Sequence, residues 1–309
     1  MKTKGVLAYL LLTFGLAWST IFVARLLLGW SLENSLVQIP IAFSPAIAAV
    51  IVRRWITREG FADAGLALHL GSGWAYYLVA WLFPLIAAGA VIGLATVSGI
   101  SRPDLSRLGT LFPGMPLPGW AGLPLLMGIA VLMAPLFWGE EFGWRGYLQI
   151  RLLSHSPLKA SIATGFIWAV WHYPLYFLGY SEYANPFIGL ITATAFAILL
   201  SVILAWLRLR ARSVWSSSLA HAGTNMVLAT LSTALLVGGA KIDWAVNDLL
   251  QGVPLAALCA WIILSGQLKA DRVPDQRSTF FEVDRLARPR PTNTGDHANY
   301  SSLEPEENH

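Results

Sequence analysis

The chain has 309 residues, of which 56% are hydrophobic and only 12% are charged. This composition, with a mean hydropathy of +0.58, excludes the soluble classes of protein and indicates a polytopic membrane protein in contact with lipid. The net charge is +4, but the Lys and Arg residues are scattered over short connections, so we exclude a nucleic-acid partner. The single cysteine, Cys259, cannot form an internal disulfide, which excludes a disulfide framework and a Cys-based metal site.

Eight apolar segments follow one another along the chain, separated by more polar connections. They cover about 5–28, 37–52, 73–97, 121–139, 160–178, 187–207, 214–237 and 249–266. A helix needs about 20 apolar residues to cross a bilayer, so we predict an all-α membrane domain of eight transmembrane helices over residues 1–266. The first segment continues too far beyond Lys2 and Lys4 for a cleaved signal peptide, and Pro40 and Pro45 predict a kinked or tilted second helix.

The positions of the basic residues predict how these helices are oriented. All but four of the 21 Lys and Arg residues lie at the N-terminus, in alternate connections or after the last helix, and the exceptions are Arg25, Arg102, Arg107 and Lys241. Because basic connections stay in the cytoplasm, we predict a multi-pass protein of the cell's inner membrane with both termini in the cytoplasm. Residues 267–309 are polar and lack apolar periodicity, which predicts a disordered cytoplasmic tail.

Two adjacent carboxylates, Glu140 and Glu141, lie at the end of the fourth apolar segment. An ionised Glu at hydrocarbon depth costs several kcal/mol, so an acid there indicates a functional site with a partner. On a helix Glu141 and Arg145 are i,i+4 neighbours on one face, whereas Glu140 points about 100° away from Glu141. Glu140 is therefore the freer acid, and the structural alternative is an ion pair at the end of a helix.

The stretch that follows, residues 142–158, mixes apolar residues with basic ones. It predicts either a continuation of the fourth helix that leaves the membrane at an angle or a plain cytoplasmic connector. Both interpretations place Glu140 where the helix meets the cytoplasmic side. We therefore expect a substrate to reach Glu140 from the cytoplasm, on a segment anchored in the inner leaflet.

The fifth and seventh segments contain the polar residues His172, His221 and Asn225. His221 and Asn225 are i,i+4 neighbours, so their side chains project toward one point. A lone His in a membrane usually forms an interhelical hydrogen bond. Two His, an Asn and a free Glu on three helices instead indicate a polar site between helices four, five and seven, because buried polar groups need partners and chemistry needs such a convergence.

This set of residue types fits the hydrolysis of a peptide bond. A carboxylate and an imidazole can activate water, and a second His with an Asn amide can stabilise the oxyanion that forms. Glu140, His172 and His221 also match a catalytic zinc set of two His and a carboxylate, although no H-E-x-x-H sequence occurs. The first mechanism requires no cofactor. The second requires an exchangeable catalytic divalent metal such as Zn²⁺, and the sequence leaves both mechanisms open.

Together these stretches resemble the CPBP family (CAAX protease and bacteriocin-processing, also described as type II CAAX prenyl endopeptidase-like or ABI proteins). The three motifs of that family, E-E-x-x-x-R, F-x-x-x-H and H-x-x-x-N, are matched in order at Glu140, Glu141, Arg145, Trp168, His172, His221 and Asn225. The Phe of the second motif is Trp168 here, which leaves the role of the His intact. The resemblance covers roughly residues 123–237, and the combination of motifs is more specific than any one of them.

The resemblance implies an intramembrane endopeptidase in which Glu140 and His172 activate water. It also implies that His221 and Asn225 hold the oxyanion, while the other two charged residues of the first motif support the site. Relatives include eukaryotic proteases that remove the last three residues of prenylated CAAX proteins and bacterial members that act in bacteriocin immunity or peptide processing. The implied substrate is therefore a membrane-associated protein or peptide, which is lipid-anchored in the CAAX case.

Two non-enzymatic interpretations use the same residues. In the first, the protein is a membrane partner or scaffold, for example of the immunity type, whose polar cluster fixes helix packing through hydrogen bonds of about 1–2 kcal/mol each. In the second, it is a proton or ion carrier. The carrier is disfavoured because the predicted spans hold no acid in their outer half and the cluster lies near one membrane face.

Overall fold

The computed structural model describes residues 2–269 of the chain apart from residues 113, 116–117, 153–155, 182 and 237–241. The predicted C-terminal tail lies outside these described residues from position 270 onward. Within them the structure is helical, and the one β-type contact is an isolated bridge between Pro103 and Leu236. The predicted all-α class is confirmed.

Ten α-helices make up most of the described part of the chain. They are α1 (Lys2–Phe22), α2 (Ser35–Ile51), α3 (Leu70–Val97), α4 (Gly122–Gly143), α5 (Gln149–Leu152), α6 (Pro157–Phe177), α7 (Pro186–Ala211), α8 (Val214–Gly223), α9 (Thr230–Leu235) and α10 (Trp244–Leu264). Turns of π-helix extend α1 and α2 and join two later pairs: Val23–Leu27, Val52–Ile56, Trp144–Leu148 between α4 and α5, and Thr224–Ala229 between α8 and α9. Counted through these turns, the helices form eight continuous segments, one for each predicted apolar segment.

Six helical segments in the described residues are long and apolar enough to cross a membrane. They are Thr3–Leu27, Ser35–Ile56, Leu70–Val97, Gly119–Leu152, Pro186–Ala211 and Trp244–Leu264. The protein is thus a multi-pass membrane protein, as predicted. The remaining two segments are α6 and the continuous helix from α8 to α9, which carry the two predicted site histidines and are less apolar. The described residues thus form eight helical segments, of which six are candidate spans, so the number of eight transmembrane helices stays a prediction.

The polar helix α8 is surrounded by the rest of the protein, which explains how it tolerates its composition. Nearly all of its residues are buried. The hydroxyls of Ser216, Ser217 and Ser218 donate to backbone carbonyls three or four residues earlier, at 2.8 to 2.9 Å. These bonds satisfy the hydroxyls inside the helix itself, so α8 needs no water to lie in the core.

Helices α4 and α2 approach each other closely because glycines of α4 face α2. A Cβ on Gly139 would lie 2.8 Å from the carbonyl oxygen of Ala42, and one on Gly143 would lie 2.6 Å from the carbonyl carbon of Pro45. The four-residue spacing places both glycines on one face of α4, the small-residue pattern of membrane helix pairs. Because the two acids of the first motif lie between these glycines in sequence, this packing fixes their position along the bundle.

The connections between helices fall on two opposite faces. On one face, which holds the connections after α1, α3, α6 and α9, the Asp104 amide donates to the Leu235 carbonyl at 3.0 Å and the Ala184 amide to the Asp243 carboxylate at 2.8 Å. The other, which we name the basic face, holds the connections after α2, α5 and α7 and residues 265–269. These are the connections rich in Lys and Arg.

An ion-pair network closes the basic face. Arg53 donates to the Asp63 carboxylate at 2.7 Å and to the Gly146 carbonyl at 2.8 Å, and Arg151 lies 3.4 Å from the same carboxylate. Arg208 donates to the Asp63 carbonyl at 2.9 Å. Arg53 and Arg208 are fully buried, so the network joins α2, α5, α7 and the connection after α2 into one layer.

The close packing of α4 on α2 predicts the effect of a single added methyl group. Gly143→Ala should lower the free energy of unfolding by about 1–3 kcal/mol, because the new Cβ overlaps backbone atoms of α2 that cannot move independently. The measurement is the midpoint of thermal unfolding in detergent. Gly128→Ala is the matched control on the same helix, since a Cβ there has no atom within 4 Å. Equal midpoints for the two variants would contradict this packing.

Candidate active site

Glu140 and Glu141 lie inside the bundle and not at the end of a helix. Their residues are 7% and 0% exposed, and α4 continues through the π turn Trp144–Leu148 into α5. Glu140 is therefore about 18 Å of helix before Leu152, at 1.5 Å per residue. The plain connector is wrong, because the helix continues and every residue of the π turn is buried against protein. The position of Glu140 at the cytoplasmic junction stays a prediction.

Glu141 is held by two basic groups at once. Its Oε1 accepts hydrogen bonds from Arg145 Nη1 at 2.8 Å and from His221 Nδ1 at 3.0 Å. The i,i+4 pair expected from the sequence is thus present, and both of its members are fully buried. The Arg145 guanidinium also lies 4.6 Å from the centre of the Trp168 ring, within the range of a cation–π contact. Glu141 therefore orients the His221 imidazole from behind.

Trp168 connects Glu140 to His172. Its indole Nε1 donates to Glu140 Oε2 at 2.7 Å, and its backbone carbonyl lies 2.9 Å from His172 Nδ1. Because a carbonyl oxygen only accepts, Nδ1 carries the hydrogen, and Nε2 of the neutral imidazole is left as an acceptor. From the sequence, Trp168 was interpreted only as a replacement for the Phe of the second motif. Because a buried indole N–H needs an acceptor, a Trp at this position already indicated a hydrogen-bond partner nearby.

His221 and Asn225 lie at the point where α8 passes into the π turn Thr224–Ala229. The His221 ring packs 4.6 Å from the Phe137 ring and 5.1 Å from the Trp168 ring, measured between centroids. Asn225 Nδ2 donates to the His221 carbonyl at 3.2 Å. The Asn225 side chain is exposed, although the ring beside it is buried, because the helix turns toward a cavity here.

One cavity of about 1130 Å³ is lined by the four predicted catalytic residues, Glu140, His172, His221 and Asn225, and also by Trp168. The structure therefore brings the residues of α4, α6 and the α8–α9 helix together, as the sequence predicted. The remaining two residues of the predicted set, Glu141 and Arg145, lie behind this wall. Among the described residues, neither His172 nor His221 has a hydrogen-bond partner at Nε2, so both rings present a free nitrogen.

The set Glu140, His172 and His221 does not form a metal site in this arrangement. Within the described residues, no three His, Cys, Asp or Glu side chains lie close enough together to hold a metal ion. The bonds of the three side chains would leave one ligand atom each, Nε2 of each His and Oε1 of Glu140, so it is the separation of the three groups that does not fit a metal ion. We therefore derive no step through a metal.

A further acid, Asp248, lines the same cavity and was missed by the sequence analysis. Its Oδ2 accepts hydrogen bonds from the Tyr183 hydroxyl and the Thr192 hydroxyl, both at 2.9 Å. The last apolar segment was expected to begin at about 249, but α10 begins at Trp244, which places Asp248 inside the helix. The reason given against an ion carrier, that no acid lies in the outer half of a span, is therefore wrong.

Comparisons with known proteins agree with the motifs. The model of the family "Type II CAAX prenyl endopeptidase Rce1-like" matches residues 120–227, a range that contains every residue of the predicted site. The chain is also similar to CAAX prenyl protease 2 of Methanococcus maripaludis, with 48% identity over 52 residues, which is 16% of this chain and 18% of that protein. The chain thus spans about a fifth of the length of this curated relative. The motifs and these two matches support the resemblance to the CPBP family over this part of the chain.

Proposed function

We propose that the protein is an intramembrane endopeptidase that hydrolyses a peptide bond of a membrane-associated protein or peptide. In this proposal Glu140 and His172 activate water, and His221 and Asn225 stabilise the oxyanion. The observation that carries it is that these four side chains, from three separate helical segments, line one cavity large enough for a peptide segment. The name of the curated relative and the matching family are consistent with this activity.

Glu140 and His172 are suited to water activation because Trp168 holds both of them. Its indole N–H binds one carboxylate oxygen, which leaves the other to take a proton from water. The His172 Nε2 accepts a hydrogen bond from the same water and so directs its lone pair. As water attacks, an O–C bond forms and the proton passes to Glu140. The proton then moves to the leaving nitrogen as the C–N bond breaks, which yields a carboxylic acid and an amine, and the acid then gives up its proton to become a carboxylate.

His221 and Asn225 are suited to the oxyanion for different reasons. Nδ1 of His221 already donates its hydrogen to Glu141, so the ring can donate from Nε2 only as an imidazolium. The positive charge of the imidazolium would then stabilise the negative charge of the oxyanion. Asn225 has two amide hydrogens, of which one binds the His221 carbonyl, and the second is available in every protonation state. Donors that are fixed before the reaction need no reorganisation during it, which is the physical basis of oxyanion stabilisation.

The non-enzymatic interpretations fit the geometry less well. A cluster that only fixes packing satisfies its own groups, whereas here the free ring nitrogens lie beside a cavity. An ion carrier needs a path through both faces, and buried arginines close the basic face. The proposed location is the cell's inner membrane with both termini in the cytoplasm, and a lipid-anchored substrate stays part of the proposal.

Glu140→Gln tests the proposed acid and base directly. The amide keeps an oxygen for the Trp168 N–H but cannot take a proton, so the cleavage rate should fall by at least about 10². The rate is measured in liposomes on a set of membrane-inserted peptides that carry quenched fluorophore pairs. Asp104→Asn, which changes an exposed carboxylate outside the cavity, is the matched control. A Glu140→Gln protein that cleaves at the wild-type rate would show that the mechanism is wrong.

Trp168→Phe tests whether the indole hydrogen bond positions Glu140. A hydrogen bond to a charged group is worth about 1.5–3 kcal/mol, so kcat should fall by about 10- to 100-fold while KM and the melting temperature change little. Trp171→Phe is the matched control on the next turn, because its buried Nε1 has no partner among the described residues. Equal kcat values for the two variants would contradict a positioning role for Trp168.

A further inference from the structure

Asp248 belongs to a second polar group in the cavity, apart from the proposed catalytic residues. It lies on α10, beyond the range that the family model matches, and it lines the same cavity as Glu140. The hydroxyls of Tyr183 and Thr192 both donate to its Oδ2. Its Oδ1 has no hydrogen-bond partner among the described residues. The carboxylate is therefore held in place through one oxygen, and the other is available to a ligand in the cavity.

Gln251 lies beside Asp248 on the same face of α10, three residues further along. It is only 5% exposed and lines the cavity. Its side-chain amide has no hydrogen-bond partner within the part of the chain that the structure describes. A buried amide without a partner costs folding free energy, so the amide indicates that a polar ligand enters here. The carboxylate oxygen and the amide oxygen are two acceptors, and a basic side chain supplies the matching donors.

The charge of Asp248 also favours a positively charged ligand. Among the described residues, no Lys, Arg or His side chain forms an ion pair with its carboxylate. The one Lys or Arg residue in the described wall of the cavity is Arg107, whose Nε lies 3.4 Å from the Asp104 carboxylate. A carboxylate enclosed by protein favours a positively charged partner, and here a ligand can supply it.

A row of aromatic rings connects this carboxylate to the proposed catalytic residue His172. The Tyr176 ring stacks on the His172 ring at 6.3 Å, and the Tyr183 ring meets the Tyr176 ring edge-on at 5.6 Å. The His172 and Tyr183 rings are thus at most about 12 Å apart, which three or four extended residues span at about 3.3–3.6 Å each. A substrate that is cut beside His172 can therefore place a side chain at Asp248 from within about four residues of the scissile bond.

We propose that Asp248 and Gln251 form a subsite for a basic side chain of the substrate, a Lys or Arg within about four residues of the scissile bond. The carboxylate binds the positive charge, and the Gln251 amide oxygen accepts a second hydrogen bond. The Tyr176 and Tyr183 rings contact the methylene groups of the side chain. The proposal rests on the proposed function for the position of the cut, whereas binding of the basic side chain requires no hydrolysis. Asp248 therefore determines specificity, and its loss should raise KM for basic substrates more than it lowers kcat.

The sequences around the cleavage sites test this subsite without a known substrate. The probe is a mixture of membrane-inserted peptides of varied sequence in liposomes, and the cut positions are read by mass spectrometry. The wild-type protein should favour Lys or Arg at one position by about 10-fold or more. Asp248→Asn should remove this preference, because Asn still accepts from Tyr183 and Thr192 but carries no charge. Cleavage by the wild-type protein with no preference for a basic residue would overturn the proposal.

Three further variants separate the subsite from other roles of the carboxylate. Gln251→Leu leaves the bonds of Asp248 intact and should reduce the preference, so it decides the outcome if Asp248→Asn does not fold. Glu33→Gln is the matched control, because it removes another negative charge from the cavity wall, and an equal loss of preference there would overturn the subsite. Lys241, which lies outside the described residues, is the one basic residue between α9 and α10 in the sequence. If Lys241→Gln removes the preference as Asp248→Asn does, the carboxylate pairs within the chain and the proposal is overturned.

A binding measurement separates failure of the subsite from failure of the proposed function. Glu140→Gln protein in nanodiscs is titrated with a fluorescent apolar peptide that contains a single Lys, and with the same peptide carrying Gln at that position. The Lys peptide should bind about 10-fold more tightly, and the difference should disappear when Asp248→Asn is added. Equal binding of the two peptides would overturn the subsite, even if the wild-type protein cleaves them. A difference that depends on Asp248, without cleavage by the wild-type protein, would support the subsite and show that the proposed hydrolysis is wrong.

Discussion

The site depends on one buried carboxylate, Glu141, that binds Arg145 and His221 together. An unpaired charge in the interior of a membrane protein is strongly destabilising, and both Glu141 and Arg145 are fully buried. Their 2.8 Å contact compensates the two charges within one helix, and the 3.0 Å contact to His221 ties that helix to α8. The same bond occupies Nδ1 of the imidazole. The requirement to pair a buried charge therefore also decides which ring nitrogen faces the cavity.

Trp168 extends this arrangement to the third helix. Its indole N–H binds Glu140, its carbonyl binds His172, and its ring lies under the Arg145 guanidinium. A Phe at this position would keep the ring contact but lose the donor, so the departure from the family motif adds a bond to the carboxylate. The two adjacent acids thus have separate roles because of their neighbours: Glu141 is shared between Arg145 and His221, whereas the described partner of Glu140 is a neutral N–H.

The sequence predicted what depends on neighbours along the chain. The helical segments follow from apolar runs, and the Glu141–Arg145 pair follows from i,i+4 spacing. It did not predict the bonds from Trp168 to Glu140 or from Tyr183 to Asp248, because these join residues far apart in the chain. The burial of Arg145 was not expected either. An arginine after an apolar run is expected at headgroup level, whereas Arg145 is fully buried beside Glu141 of its own helix and the Trp168 ring of α6.

Those internal partners also explain why the layer on the basic face is closed. Arg53, Arg145 and Arg208 can be fully buried only because carboxylates and carbonyls of several segments surround them. Charge-assisted bonds are the stronger class of hydrogen bond, and an arginine that lost its partners here would stay uncompensated. Opening the basic face therefore costs more than opening a wall of individual side chains at the other end. The pairing that allows charges to lie beneath the acids therefore also holds the layer on the basic face together.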